Sequence, residues 1–151
     1  MKYLIGQKVA SVLRNFPYPV TRKIFDLPAI ACVQTGSLLV VMATQKNFIE
    51  SLWTVYSWMA THPDDGISPR IYIDGNVTES MQRELDSILP GTLLCTAISV
   101  IEAFGKFSSE EMHFFRNDRY GRKLGLLLAL NDTDGFIFQT MISFFTIGPL
   151  K

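Results

Sequence analysis

Three groups of residues in this chain have the types and spacing to do chemistry. Asp74-Gly75 follows a short buried strand, Arg70 to Ile73, and precedes an amphipathic stretch, residues 79–89. A carboxylate and a glycine between a strand's carboxyl end and a helix stand where open α/β folds hold ligands. The competing reading is a turn whose Asp bonds its own backbone. Arg119, Arg122 and Lys123 cluster at a predicted helix start. They suit a phosphate, or else form a solvated face, since cations at a helix N-terminus oppose the dipole. Asp132-Thr133-Asp134 has the letters of a carboxylate pair for a hard cation, and beside Gly135 it also reads as a solvated turn.

The remaining reactive residues point to no site. Cys32 and Cys95 have no second Cys or His at metal spacing and read as two reduced thiols packed in a core. His113 lies beside Phe114 and Phe115, and His62 lies in a loop before Pro63. No Ser-His-Asp order, Walker loop or GxGxxG run is present.

The composition bounds the class. With 151 residues, 48% hydrophobic and 19% charged, the chain is globular and apolar, and a chain of this size buries roughly 70% of its unfolded surface. Fourteen basic and fourteen acidic residues cancel, which argues against nucleic acid and an anionic membrane surface as partners. A mean hydropathy of +0.20 predicts apolar surface covered by a partner domain or a second copy. No apolar run reaches the ~18 residues of a spanning helix. The N-terminal residues lack a signal peptide's continuous apolar stretch, so the expected location is cytoplasmic.

The elements that must position these groups follow from periodicity. Residues 2–15 read as a short helix, ended by Pro17 and Pro19. Residues 21–31 read as a connector with Ile24, Phe25 and Leu27 docked, and residues 30–33 as a short strand. The unbroken apolar run at 38–43 predicts a strand buried on both faces of a parallel sheet. Phe48, Leu52, Val55 and Met59 recur at helical spacing over residues 47–61. Trp53, Tyr56 and Trp58 widen that stripe. A second strand covers 70–73, and a second helix covers 79–89, with Thr78 as its N-cap and Pro90-Gly91 as its stop. The β-favouring run 92–100 predicts a third strand. Helices are expected over 108–115 and from Arg119 or Tyr120 to Leu130, the latter burying Leu124, Leu127 and Leu128. A last strand, split or whole, covers 135–145. This strand–helix alternation predicts an α/β, Rossmann-like three-layer sandwich with a mostly parallel sheet.

Several of these residues form an ordered pattern. Val40-Val41-Met42-Ala43-Thr44 ends a strand, and Phe48, Leu52 and Ser57 follow on a helix. Asp74-Gly75-Asn76-Val77-Thr78 comes next, then Leu85 and Pro90-Gly91. Arg122-Lys123-Leu124 precedes an apolar strand ending in Phe144-Phe145, with Gly148-Pro149 behind it. Over residues 38–150 this resembles the nucleotide-sugar-binding half of GT-A-type glycosyltransferases. That family has a DGSLT-like turn, a Lys-Leu pair and a DSDxLFF-like segment carrying a metal-binding DxD.

The resemblance implies a GT-A-like domain at 36–151, truncated, behind an N-terminal helix and connector at 1–35. It implies a hexosyltransferase-type activity on a nucleotide-diphosphate sugar, with an acceptor that remains open. Ala43, Thr44, Asp74, Gly75 and Lys123 would line the nucleotide-sugar site. A divalent cation, Mn²⁺ or Mg²⁺, would neutralise the leaving diphosphate. The pattern breaks where the DxD belongs, because Gln139-Thr140-Met141 stands there, and neither Gln nor Met replaces a carboxylate on such a cation. The expectation is therefore a lost metal site, with Asp132 and Asp134 as the remaining candidates, and a chain inactive alone. Two further readings stay open: a non-catalytic Rossmann-like interaction domain, and membrane docking through residues 136–150.

Overall fold

The computed structural model describes residues 21–34, 37–63, 66–104, 106–131, 136–140 and 143–144, with side chains from residue 22 to residue 131 of these. The expected helix over 2–15 and the Asp132-Thr133-Asp134 turn lie outside the described residues.

The unbroken apolar run forms β1, Leu38–Thr44, and every residue from Leu38 to Ala43 is buried. A run buried on both faces requires cover on both faces. Leu39, Val41 and Ala43 point into one cluster, and Leu38, Val40 and Met42 into another. The first cluster is roofed by α1, Phe48–Thr61, through Phe48, Leu52, Val55 and Met59. Trp53, Tyr56 and Trp58 pack partly buried against it. β2, Ser68–Asp74, lies parallel to β1 in a register running from Leu38 opposite Ser68 to Thr44 opposite Asp74. Gly75, at φ +134°, breaks the strand. Thr78 Oγ1 then accepts the Met81 N–H at 3.2 Å and caps α2, Glu79–Ile88. Met81, Leu85 and Ile88 of α2 complete the first layer.

A 3-10 turn, Thr21–Asp26, also docks on that layer with Ile24 fully buried. The connector behaves as expected, but residues 30–33 form no strand. They run extended beside the end of α2 instead. The Ile30 N–H donates to the Ile88 carbonyl at 2.9 Å, and the Cys32 N–H to the Pro90 carbonyl at 2.7 Å.

The expected strand over 92–100 is corrected. β3 is only Leu93–Thr96, parallel to β2, and Ala97–Phe104 is a helix, α3. Thr96 makes the switch without glycine or proline: its Oγ1 accepts the Ser99 N–H at 3.2 Å. α4, Ser109–Asn117, starts at a reciprocal cap in which Ser108 Oγ accepts the Glu111 N–H and Glu111 accepts the Ser108 N–H. α5 is Arg119–Leu130, with Asp118 as its N-cap. These three helices cover the second face through Ala97, Ile101, Phe115, Leu126 and Leu130. The chain then enters β4, Phe136–Thr140, parallel to β1, and β5, Ser143–Phe144, antiparallel to β4. The sheet order is β3-β2-β1-β4-β5. The protein is thus an α/β sandwich of three layers, compatible with a Rossmann-like fold. The last strand is split, and residues 136–140 use their backbone to pair with β1.

The buried face of α5 also differs from expectation. Leu124 and Leu128 are exposed, while Gly121, Gly125, Leu126, Ala129 and Leu130 are buried. The cause is close approach. A Cβ on Gly125 would lie 2.9 Å from Ile101 Cδ1 and from the Phe115 ring, and one on Gly121 would lie 2.7 Å from the Phe114 carbonyl. Small residues four apart let α3 and α4 seat against this side, so Leu124 and Leu128 turn outward. Leu124→Gln is accordingly expected to change stability by no more than about 0.5 kcal/mol in urea unfolding. A loss of several kcal/mol would restore Leu124 to the core.

Candidate functional site

The parallel strands bring their carboxyl ends to one edge of the sheet. Thr44 and Asp74 are direct register partners there, and Thr96 ends β3 beside them. Winding reverses between β1 and β4, since α1 and α2 cover one face and α3 to α5 the other. Ligands in such sheets sit outside the carboxyl ends of the strands. A cavity of about 480 Å³ opens at this edge, over β2 and α3 and thus one strand away from the reversal. Asp74, Gly75, Asn76, Ile98, Glu102, Arg116 and Arg122 are among its walls.

The expected site residues divide into those that gather and those that do not. The Ala43 side chain is 3% exposed inside the first core cluster, so only its backbone could meet a ligand. Thr44 is held by Asn47, whose Oδ1 accepts the Thr44 N–H at 2.6 Å and its hydroxyl at 2.8 Å. Gly75 lies on the cavity wall, and Gln45 Nε2 anchors the loop by donating to the Asn76 carbonyl at 2.8 Å. Asp74, with a side chain 13% exposed, is gripped by α5. Arg122 Nε lies 2.6 Å from Asp74 Oδ1 and Arg119 Nε 3.9 Å from Oδ2. The Arg122 N–H does not point along that line, so the contact is an ion pair rather than an aligned hydrogen bond. Arg122 also donates to the Arg116 carbonyl.

Lys123 belongs to the same electrostatic cluster. Partial burial lowers its proton affinity and the Arg119 charge lowers it further, while Asp74 opposes both. Its ammonium sits 5.9 Å from the Tyr120 ring centre. A second ion pair closes the far wall, with Arg116 Nη2 2.8 Å from Glu102 Oε1. Ile98 escapes sequence reasoning because residues 92–100 look like one strand, and Glu102 because no element is read between residues 100 and 108. Read as a helix, they stand four apart on one face, which is the signal that finds them.

The basic cluster at the α5 start outweighs its acids. Arg116, Arg119, Arg122 and Lys123 stand against Asp74, Glu102 and Asp118, four cations to three anions. Asp118 is engaged as the helix cap, accepting the Gly121 N–H at 2.7 Å. The arrangement can therefore receive an anion. A hard divalent cation needs several oxygen ligands with carboxylates free to reach it. Here Asp74 and Glu102 each face a guanidinium, and among the described residues no three His, Cys, Asp or Glu side chains come together to hold a metal. The donor set present does not fit the expected Mn²⁺ or Mg²⁺. Asp132 and Asp134 lie outside the described residues.

Cys32 and Cys95 are free thiols, and burial raises the proton affinity of both. Among the described residues no helix is long and apolar enough to cross a membrane. No family model, no curated protein and no solved structure matches this chain.

Proposed function

We propose that this chain is a nucleotide-diphosphate-sugar-binding portion of a GT-A-like glycosyltransferase, a protein that hands a sugar to an acceptor. One observation carries the reading. At the carboxyl edge of a parallel sheet, beside a cavity of about 480 Å³, Arg119, Arg122 and Lys123 surround Asp74 with net positive charge. That volume falls within the ~300–1,000 Å³ of small-molecule sites. Gly75 and Asn76 offer backbone there, and the guanidinium fork of Arg122 suits phosphate oxygens. Asp74 holds Arg122 in place rather than facing the ligand alone.

Isothermal titration with UDP, GDP and ADP tests the proposal. The expected result is saturable binding by at least one of them, with Kd below about 1 mM. No binding by any of the three would sink it.

A second reading, a non-catalytic interaction domain of the same fold, is favoured by a different observation. Tyr120, Leu124 and Leu128, four residues apart along α5, are 76%, 48% and 47% exposed. Contiguous exposed apolar surface marks interaction sites. A chain that binds none of the nucleotides, and whose self-association is lost on Leu124→Gln, would favour this alternative.

A further inference from the structure

We infer that the diphosphate at this site is neutralised by the side chains of Arg119, Arg122 and Lys123, with no divalent cation between ligand and protein; the inference rests on the nucleotide-diphosphate reading above. Three observations carry it.

The first is the state of the carboxylates. Metal-assisted neutralisation requires anionic oxygens left available to the cation. Asp74 Oδ1 has Arg122 Nε at 2.6 Å, and Glu102 Oε1 has Arg116 Nη2 at 2.8 Å. One oxygen of each carboxylate is held by a guanidinium, and a cation binding the other would sit against that positive charge.

The second is the sign of what remains. Around Asp74 stand three cations for one carboxylate, and the acid nearest in sequence, Asp118, is held by the helix backbone. The Lys123 ammonium is disfavoured by its surroundings, with partial burial the larger cause and Arg119 the smaller. An entering anion would offset the smaller, Arg119 part of that penalty, as Asp74 already does, so the cluster gains from the ligand charge that a metal would otherwise neutralise.

The third is geometry. Arg122 lines the cavity, and Arg119 and Lys123 lie on the same α5 turn, before and after it in sequence. A diphosphate in the cavity mouth would meet Arg122 from the wall, with Arg119 and Lys123 beside it around Asp74. Asp74 holds Arg122 oriented until then, and the ligand's oxygens compete for the same guanidinium. Such charge-assisted contacts are shorter and roughly twice as strong as neutral hydrogen bonds.

The test is calorimetric titration of the full chain with inorganic pyrophosphate and with the nucleoside diphosphate that binds best, in EDTA and again in Mn²⁺. The expected result is the same affinity in both buffers, and a loss of about tenfold or more in the double variant Arg119→Gln/Lys123→Gln. Arg119 is half-exposed and Lys123 partly exposed, and an unchanged urea midpoint would show that the variant folds. Binding only with Mn²⁺ would overturn the inference and leave the nucleotide reading standing. Equal affinity in both buffers that is indifferent to the double variant would overturn it too, because the anion would then sit elsewhere. No binding in either buffer would remove both proposals together.

Discussion

Gly91→Ala is expected to lose about 4 kcal/mol of stability, seen as a large fall in the urea midpoint. Gly91 sits at φ +89°, a conformation that costs an L-residue roughly 1–2 kcal/mol. The steric problem is larger. A Cβ there would lie 2.0 Å from the Cys32 carbonyl oxygen and 3.0 Å from its carbon. Both atoms are backbone, so no rotamer change relieves the clash. The connector would have to lift. Lifting it breaks the Cys32 N–H bond to the Pro90 carbonyl and the Gln34 Nε2 bond to the Gly91 carbonyl, about 1 kcal/mol each. It would also loosen the packing of Cys32 in the first core cluster. A loss under about 1 kcal/mol would mean that the connector does not lie against the end of α2.

Arg122→Gln is expected to fail in two ways that a second substitution separates. Arg122 faces Asp74 and donates to the Arg116 carbonyl, and its side chain is 23% exposed. Removing its charge leaves Asp74, 13% exposed, with Arg119 at 3.9 Å and the Lys123 charge. The stability cost is about 2 kcal/mol, since one partner of a largely buried pair is left behind. Asp74→Asn in the same chain should recover about 1 kcal/mol or more of that loss, the coupling expected of residues in direct contact. Binding should follow a different pattern. Arg122→Gln is expected to weaken pyrophosphate about tenfold or more, and the double variant should remain weak although it is stable again. Asp74→Asn alone should tighten pyrophosphate, because it removes the carboxylate that competes for Arg122. If Asp74→Asn weakens pyrophosphate and Arg122→Gln leaves it unchanged, the charge assignment is reversed.

The first half of the chain was legible because its signals are strong and agree. An unbroken run such as Leu38 to Ala43 has no other comfortable state than a strand covered on both faces. Phe48, Leu52, Val55 and Met59 repeat at helical spacing, and Thr78 and Pro90-Gly91 mark where α2 starts and stops. Beyond Thr96 the signals conflict. Ala97 to Val100 continues the β-favouring composition of β3 with no turn residue between, and the side chain that starts α3, Thr96, is also a good strand residue. Periodicity failed in α5 for another reason. Leu124 and Leu128 pointed one way, but the side bearing Gly121 and Gly125 allows a closer approach than theirs.

The candidate site shows the same division. Asp74-Gly75 was visible as the tip of a buried strand, and the basic cluster was visible as residues. Their meeting was not, because it depends on how α5 crosses the tip of β2. The Glu102–Arg116 pair depends on recognising α3 at all. Thr44 and Ala43 stood at the right strand end, yet Asn47 engages one and the core encloses the other.

Amide chemical-shift mapping during titration with a binding nucleoside diphosphate in EDTA shows where the anion sits. The largest shifts are expected on Gly75, Asn76 and the first turn of α5, Arg119 to Lys123, with small changes across α1. Saturable binding whose shifts gather elsewhere, or shifts at these amides only after Mn²⁺ is added, would contradict that placement.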